Sequence, residues 1–138
     1  MRAAAIALLA AACGGEADDF VVRPGIVEFY DMIEIEVPSA VPVGTAFTVR
    51  ITTFGGGCES FEDTTVGLVP HGAIVTPRDR SHIVEACTTP LLRFAHEASL
   101  TFSDPGSKTV VIHGRRVGSE AGIRVDEEIE IAYVLAAN

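Results

Sequence analysis

Near the end of the chain Ile129, Ile131, Tyr133 and Leu135 alternate with Glu128, Glu130, Ala132 and Val134. A repeat of two sends successive side chains to opposite faces of an extended backbone, so this segment can bury one face only as a strand. The same period recurs along the chain. Ile33, Ile35 and Val37 alternate with Glu34 and Glu36; Phe47, Val49 and Ile51 alternate with Thr48, Arg50 and Thr52. Leu92, Phe94, Leu100 and Phe102 share one parity, and Val110 and Ile112 share a face. β-branched residues, which fit a pleated surface, are abundant. After residue 13 no segment carries a helical period; Ser81–Ala86 comes nearest and is too short.

Turn residues punctuate these runs. Pro38–Gly44 separates the first two, Gly55-Gly56-Gly57 follows the second, Asp104-Pro105-Gly106-Ser107 joins Phe102 to Val110, and Gly118–Gly122 precedes the last. Weaker strands are expected near 64–70, 72–76 and 81–87. About eight short strands with frequent turns predict an all-β domain built as an antiparallel sandwich.

Val41-Pro42-Val43-Gly44-Thr45-Ala46-Phe47-Thr48-Val49 reads as a Pro-x-Gly lead into an early strand. Leu100–Ile112 reads as two strands joined by a Pro-Gly turn. In these stretches the chain resembles the immunoglobulin-like sandwiches of bacterial surfaces. The resemblance implies a single antiparallel immunoglobulin-like sandwich of about 7–8 strands over residues 26–138. The chain departs from antibody-type domains in having no tryptophan and in carrying Lys108 where a corner tyrosine would sit.

Charge patterning constrains which strands can be neighbours. Arg50 can lie across from Glu34 and Glu36 if their strands pair, worth roughly 0.2–1 kcal/mol per facing pair. The last strand carries Asp126, Glu127, Glu128 and Glu130. It is therefore expected not to adjoin the strand of Glu34 and Glu36 directly, or to need Arg115, Arg116 or Arg124 between them.

The N-terminus is of another kind. Met1-Arg2 leads into the apolar stretch Ala3–Ala12, then Cys13-Gly14-Gly15-Glu16. One cation, a short apolar segment, small residues and a cysteine resemble a bacterial lipoprotein signal peptide. The resemblance implies cleavage after residue 12 and acyl chains on Cys13. The bilayer would then be a partner through those chains, and the cell envelope the location, outer membrane or periplasm-facing. Gly14, rather than Asp, favours the outer membrane in such proteins. The apolar stretch falls short of the roughly 20 residues of a spanning helix. This divides the chain into a signal peptide at 1–12, a tether at 13–25 and a sandwich domain at 26–138.

Cys58 and Cys87 remain. Outside the cytoplasm an even pair reads as a disulfide, closing a loop of about 30 residues and worth roughly 3–4 kcal/mol in the chain-entropy model. The competing reading is a metal or small-ligand site built from His71, His82, Cys87 and His96, although no close ligand pair of the zinc type is present. The net charge of −9 gives no electrostatic footprint for nucleic acid.

No catalytic constellation emerges. Gly55-Gly56-Gly57 lacks the Gly-Lys-Ser/Thr ending of a phosphate loop, and His96-Glu97 lacks the second histidine of a zinc-protease helix, since position 100 is Leu. By parity His96 reads as a hydrogen-bonded core or rim histidine. Asp126-Glu127-Glu128 with Glu130 could offer calcium its oxygens, but reads better as a solvated acidic edge that discourages aggregation. No metal, cofactor or catalytic residue is assigned. The expectation is a lipid-anchored, non-catalytic binding or structural module, its protein or glycan ligand surface placed within Gly55–Pro90 because loops carry recognition.

Overall fold

The computed structural model describes residues 19–83 and 86–138; Cys13 and the expected signal peptide lie outside them. Among the described residues the secondary structure is all β. Eleven strands follow in order: β1 (Phe20–Pro24), β2 (Ile26–Phe29), β3 (Met32–Ile33), β4 (Ile35–Glu36), β5 (Ala40–Val41), β6 (Phe47–Gly55), β7 (Glu59–Val69), β8 (Gly72–His82), β9 (Leu92–Leu100), β10 (Gly106–Glu120) and β11 (Ile123–Ala137). They belong to one hydrogen-bonded sheet that curls as a mixed half-barrel.

This corrects two expectations. The strands number eleven rather than seven or eight, and the sheet is mixed: β10 runs parallel to β2 and to β8, and β11 runs parallel to β5. The sheet also begins at Phe20, inside the segment assigned to the tether, because β1 pairs with β8 from Phe20↔His82 to Pro24↔Arg78. The segment 59–82, expected as loops with weak strands, is a long hairpin of β7 on β8.

The largest feature is the hairpin of β10 and β11, in register from Gly106↔Ala137 to Glu120↔Ile123. Its turn is Ala121-Gly122, with φ of 51° and 79°. Positive φ at both central residues fits the twist of a two-residue hairpin, and glycine takes it at no steric cost. The turn is thus narrower than the expected Gly118–Gly122, since Gly118 pairs with Val125.

β8 and β10 start side by side, Gly72–Val75 against Thr109–Ile112, and further along pair with different partners. Beyond that stretch β1 pairs with β8 and β2 with β10, and the bend between them is Gly25. Gly25 is hydrogen-bonded on both sides: its N–H donates to Pro77 O at 2.8 Å, and its carbonyl accepts from Arg115 N at 2.8 Å. β2 continues the sheet to β6 through Ile26↔Phe54, and β6 pairs with β9 along its whole length. The curl lets Val49, Ile51, Ala98 and Leu100 of β6 and β9 share one core with Val75, Val110, Ile112 and Leu135 of β8, β10 and β11.

The charge pattern resolves as expected for Glu36 and for β11, whereas Glu34 pairs with Arg93 rather than Arg50. Glu36 pairs across from Arg50, with their charged atoms 3.7 Å apart. β11 does not pair with β4; Arg115 and Arg116 of β10 meet its carboxylates instead, Arg115 with Asp126 at 2.9 Å and Arg116 with Glu127 at 2.9 Å. Lys108 is buried, its ammonium 5.8 Å from the centre of the Phe102 ring.

Arg115 is the costliest of these groups to place. It is 5% exposed, and its Nε donates to Pro24 O at 2.7 Å. Burial pulls its pKa below the ordinary arginine value, helped by the charge of Arg23 and opposed by Asp126. A buried charge left without its partner is strongly destabilising. Asp126→Ala is expected to lower stability by about 3 kcal/mol, the low end of the range for broken buried pairs because the Asp126 side chain is a third exposed. Urea unfolding of the variant against the parent measures it.

Candidate functional site

The residues singled out from sequence do not converge. His71 and His82 stand at opposite ends of β8, which runs from Gly72 to His82. Cys87 is bonded to Cys58, with the two Cα atoms 5.3 Å apart. His96 is buried in the core at 1% exposure. The set His71, His82, Cys87 and His96 is thus dispersed, and among the described residues no three His, Cys, Asp or Glu side chains stand where they could hold a metal ion.

The disulfide staples the β6–β7 connection to the segment between β8 and β9. The backbone reinforces it: Gly57 N donates to Thr88 O at 3.0 Å and His82 N to Cys58 O at 2.8 Å.

A buried polar chain forms around His96 instead. Its Nε2 lies 2.9 Å from Asp79 Oδ1, and its Nδ1 lies 2.9 Å from Thr64 Oγ1. An ionised carboxylate only accepts, so Nε2 carries the proton toward Asp79. Nδ1 meets the Thr64 hydroxyl, as acceptor in a singly protonated ring and as donor in a doubly protonated one. Asp79 comes from β8, Thr64 from β7 and His96 from β9. Backbone bonds do not join β7 to β9, and this chain spans the gap.

A bulge makes the arrangement possible. The β7–β8 register shifts between Phe61 and Asp63. The extra residue changes the parity of the strand, so Phe61 and Thr64, three positions apart, both reach His96. The Phe61 ring lies 4.6 Å from the imidazole, centre to centre. Arg80 and Arg78 hold the bulge, Arg80 pairing with Glu62 at 2.5 Å and Arg78 gripping Asp63 with two donors.

Gly25 closes the far side. A Cβ there would stand 2.5 Å from Asp79 Oδ2 and 2.5 Å from Thr53 Cγ2. Asp79 Oδ2 and Thr53 Oγ1 are both buried and unpartnered among the described residues.

A hydroxyl, an imidazole and a carboxylate in this order form a proton relay in hydrolases. Here the ring is walled in: the side chains of His96 and Asp79 are 0% and 3% exposed, and Phe61 covers the imidazole. No substrate carbonyl can approach such a ring, so the arrangement acts as an internal clasp.

A surface groove of about 410 Å³ lies over β4, β6 and β9. Its charged side chains are matched in place, Arg50 with Glu97 at 3.1 Å and Glu34 with Arg93 at 3.1 Å. The acidic run on β11 is likewise engaged by Arg115 and Arg116 rather than gathered around a point.

Parity placed His96 as a core or rim histidine, and the structure puts it in the core. The partners were not visible. Asp79 reads as one of three charges in Arg78-Asp79-Arg80, and Thr64 reaches the ring through a bulge that leaves no periodic trace.

Thr64→Val keeps the shape and removes the hydroxyl, leaving Nδ1 buried without a partner. It is expected to cost about 1–3 kcal/mol in chemical denaturation. The grip on Asp63 has a pH signature. The Arg78 hydrogen bond holds the Asp63 pKa below its ordinary 3.8. Its contribution is therefore present above pH 3.8 and lost as pH falls through the lowered folded-state value. Asp63→Asn should flatten the stability curve on the acid side of pH 3.8 and leave its slope near neutrality unchanged, as read from melting temperatures across pH. No family model matches the chain, and no curated protein or solved structure matches it either.

Proposed function

We propose that this chain is a bacterial envelope lipoprotein, held to the bilayer by acyl chains on Cys13 and carrying a non-catalytic binding or structural domain. The observation that carries the reading is the Cys58–Cys87 disulfide. Disulfides persist where thiols oxidise, in the periplasm and at cell surfaces, and are rare in the cytosol. A bridge between residues 29 apart is worth roughly 3–4 kcal/mol in the chain-entropy model, a large part of a small domain's stability.

The non-catalytic character is supported by the walled-in His96 and by the matched ion pairs of the surface groove. An immunoglobulin-like kinship is supported by the core that β6 and β9 share with β8, β10 and β11. The parallel pairing of the early strand β5 with the final strand β11 is a further support. A protein or glycan partner fits a domain whose exposed surface is extensive and whose interior is closed.

Fractionation of cells making the chain and its Cys13→Ser variant tests the proposal. The parent is expected in the membrane fraction, with an N-terminal peptide starting at an acylated Cys13 and no free thiol at Cys58 or Cys87. The variant is expected to leave the membrane fraction. A parent that keeps residues 1–12 unacylated, with both thiols reduced in a cytosolic fraction, refutes it.

A further inference from the structure

The far half of β7 differs from every other long edge of the sheet. Thr65 to Val69 are all exposed, with Val66 at 42%, Leu68 at 72% and Val69 at 40%. Among the described residues β7 pairs with β8 alone. Its near half is clasped to β9 by Phe61 and Thr64 on His96; its far half carries no such contact.

Edge strands offer unpaired backbone donors and acceptors, and proteins blunt them with charge, proline or a covering segment. β11 is blunted in this way, with Asp126, Glu127, Glu128 and Glu130 along it. Thr64-Thr65-Val66-Gly67-Leu68-Val69 has no charge and no proline. An apolar, uncharged edge in a chain of net charge −9 is the place where two copies can meet without setting carboxylate against carboxylate.

We propose that the Thr65–Val69 edge of β7 pairs antiparallel with the same edge of a second copy, making a two-fold dimer by strand addition. A two-fold contact uses the same patch on both copies. Centred on Gly67, it sets Gly67 against Gly67 and faces Val66 with the other copy's Leu68 twice, while Thr65 faces Val69 twice. The backbone ladder supplies the attachment and the apolar pairs supply the register. The contact is small beside the 1,200–2,000 Å² of standard stable interfaces, so the dimer is a weak one. Because like net charges repel, it strengthens with salt.

The two-fold places the two Gly67 Cα atoms about 4.5–5.5 Å apart, within disulfide reach. A Cβ at Gly67 meets nothing within 4 Å, so a cysteine fits there. The test uses the full chain with Cys13→Ser, so that the introduced thiol is the free one. Gly67→Cys is expected to form a covalent dimer under mild oxidation, faster than Ser99→Cys, an exposed position on β9, and faster still in added salt. Adding Leu68→Lys to Gly67→Cys should slow that cross-linking about tenfold, because each lysine replaces an apolar partner of Val66 in both facing pairs. Its melting temperature should hold, because Leu68 is exposed. Cross-linking at Gly67 no faster than at Ser99, or indifferent to Leu68→Lys, overturns the proposal.

Discussion

The hydrogen bond between His96 Nε2 and Asp79 Oδ1 joins the two ends of the curled sheet. β8 carries β7 on one side, and β9 ends the run that begins at β2 and β6. The edges of β7 and β9 come together without a backbone ladder, so side chains must hold them. Apolar contacts alone would leave the approach loosely specified, because they are not directional. A buried imidazole with a carboxylate at one nitrogen and a hydroxyl at the other fixes distance and angle. Inside a protein each of these bonds is strong, and leaving one unmade is correspondingly costly.

The clasp and the curl depend on the same glycine. Where β8 and β10 cease to pair, β1 and β2 take up their free edges, and the chain turns between them at Gly25 against Asp79 and Thr53. Any side chain at that position would push on the carboxylate that holds His96. Arg115 lies beside the same bend and ties Pro24 to Asp126, so the entry of the N-terminal strand is fixed to the large hairpin. The clasp, the bend and the buried arginine therefore form one connected polar framework running through an apolar core.

Much of the fold was legible in the sequence, because burial of one face imposes a period of two that single residues cannot hide. Ile33 to Val37, Phe47 to Ile51, Leu92 to Phe102 and Ile129 to Leu135 announced strands that the structure contains. Arg50 and the arginines of β10 announced which strands could adjoin. Strand length was harder to read. Asp63, Arg78 and Arg80 look like loop residues, yet they sit in the β7–β8 ladder beside its bulge, their charges matched across the two strands. The parallel pairings were not legible. Parallel neighbours far apart in sequence leave no local turn signal, and the mixed sheet depends on where β8 and β10 part. Of the buried clasp, the histidine could be read by parity, whereas its carboxylate lay in a polar triplet and its hydroxyl behind a bulge.

The described chain enters the sheet at its stapled end. The chain joins the sheet at Phe20, which pairs with His82, and Ile83 N donates to Asp19 O at 2.9 Å. The same end holds Cys58, whose carbonyl accepts from His82 N. A pull applied through the N-terminal segment would therefore enter the sheet beside the disulfide, where a covalent bond backs up the backbone ladder. The opposite end of β8 is the turn at Pro70-His71, about 33 Å away at roughly 3.3 Å per strand residue. The uncharged edge of β7 leads to that turn. The stapled end of the sheet and the uncharged edge of β7 thus lie at opposite ends of β8.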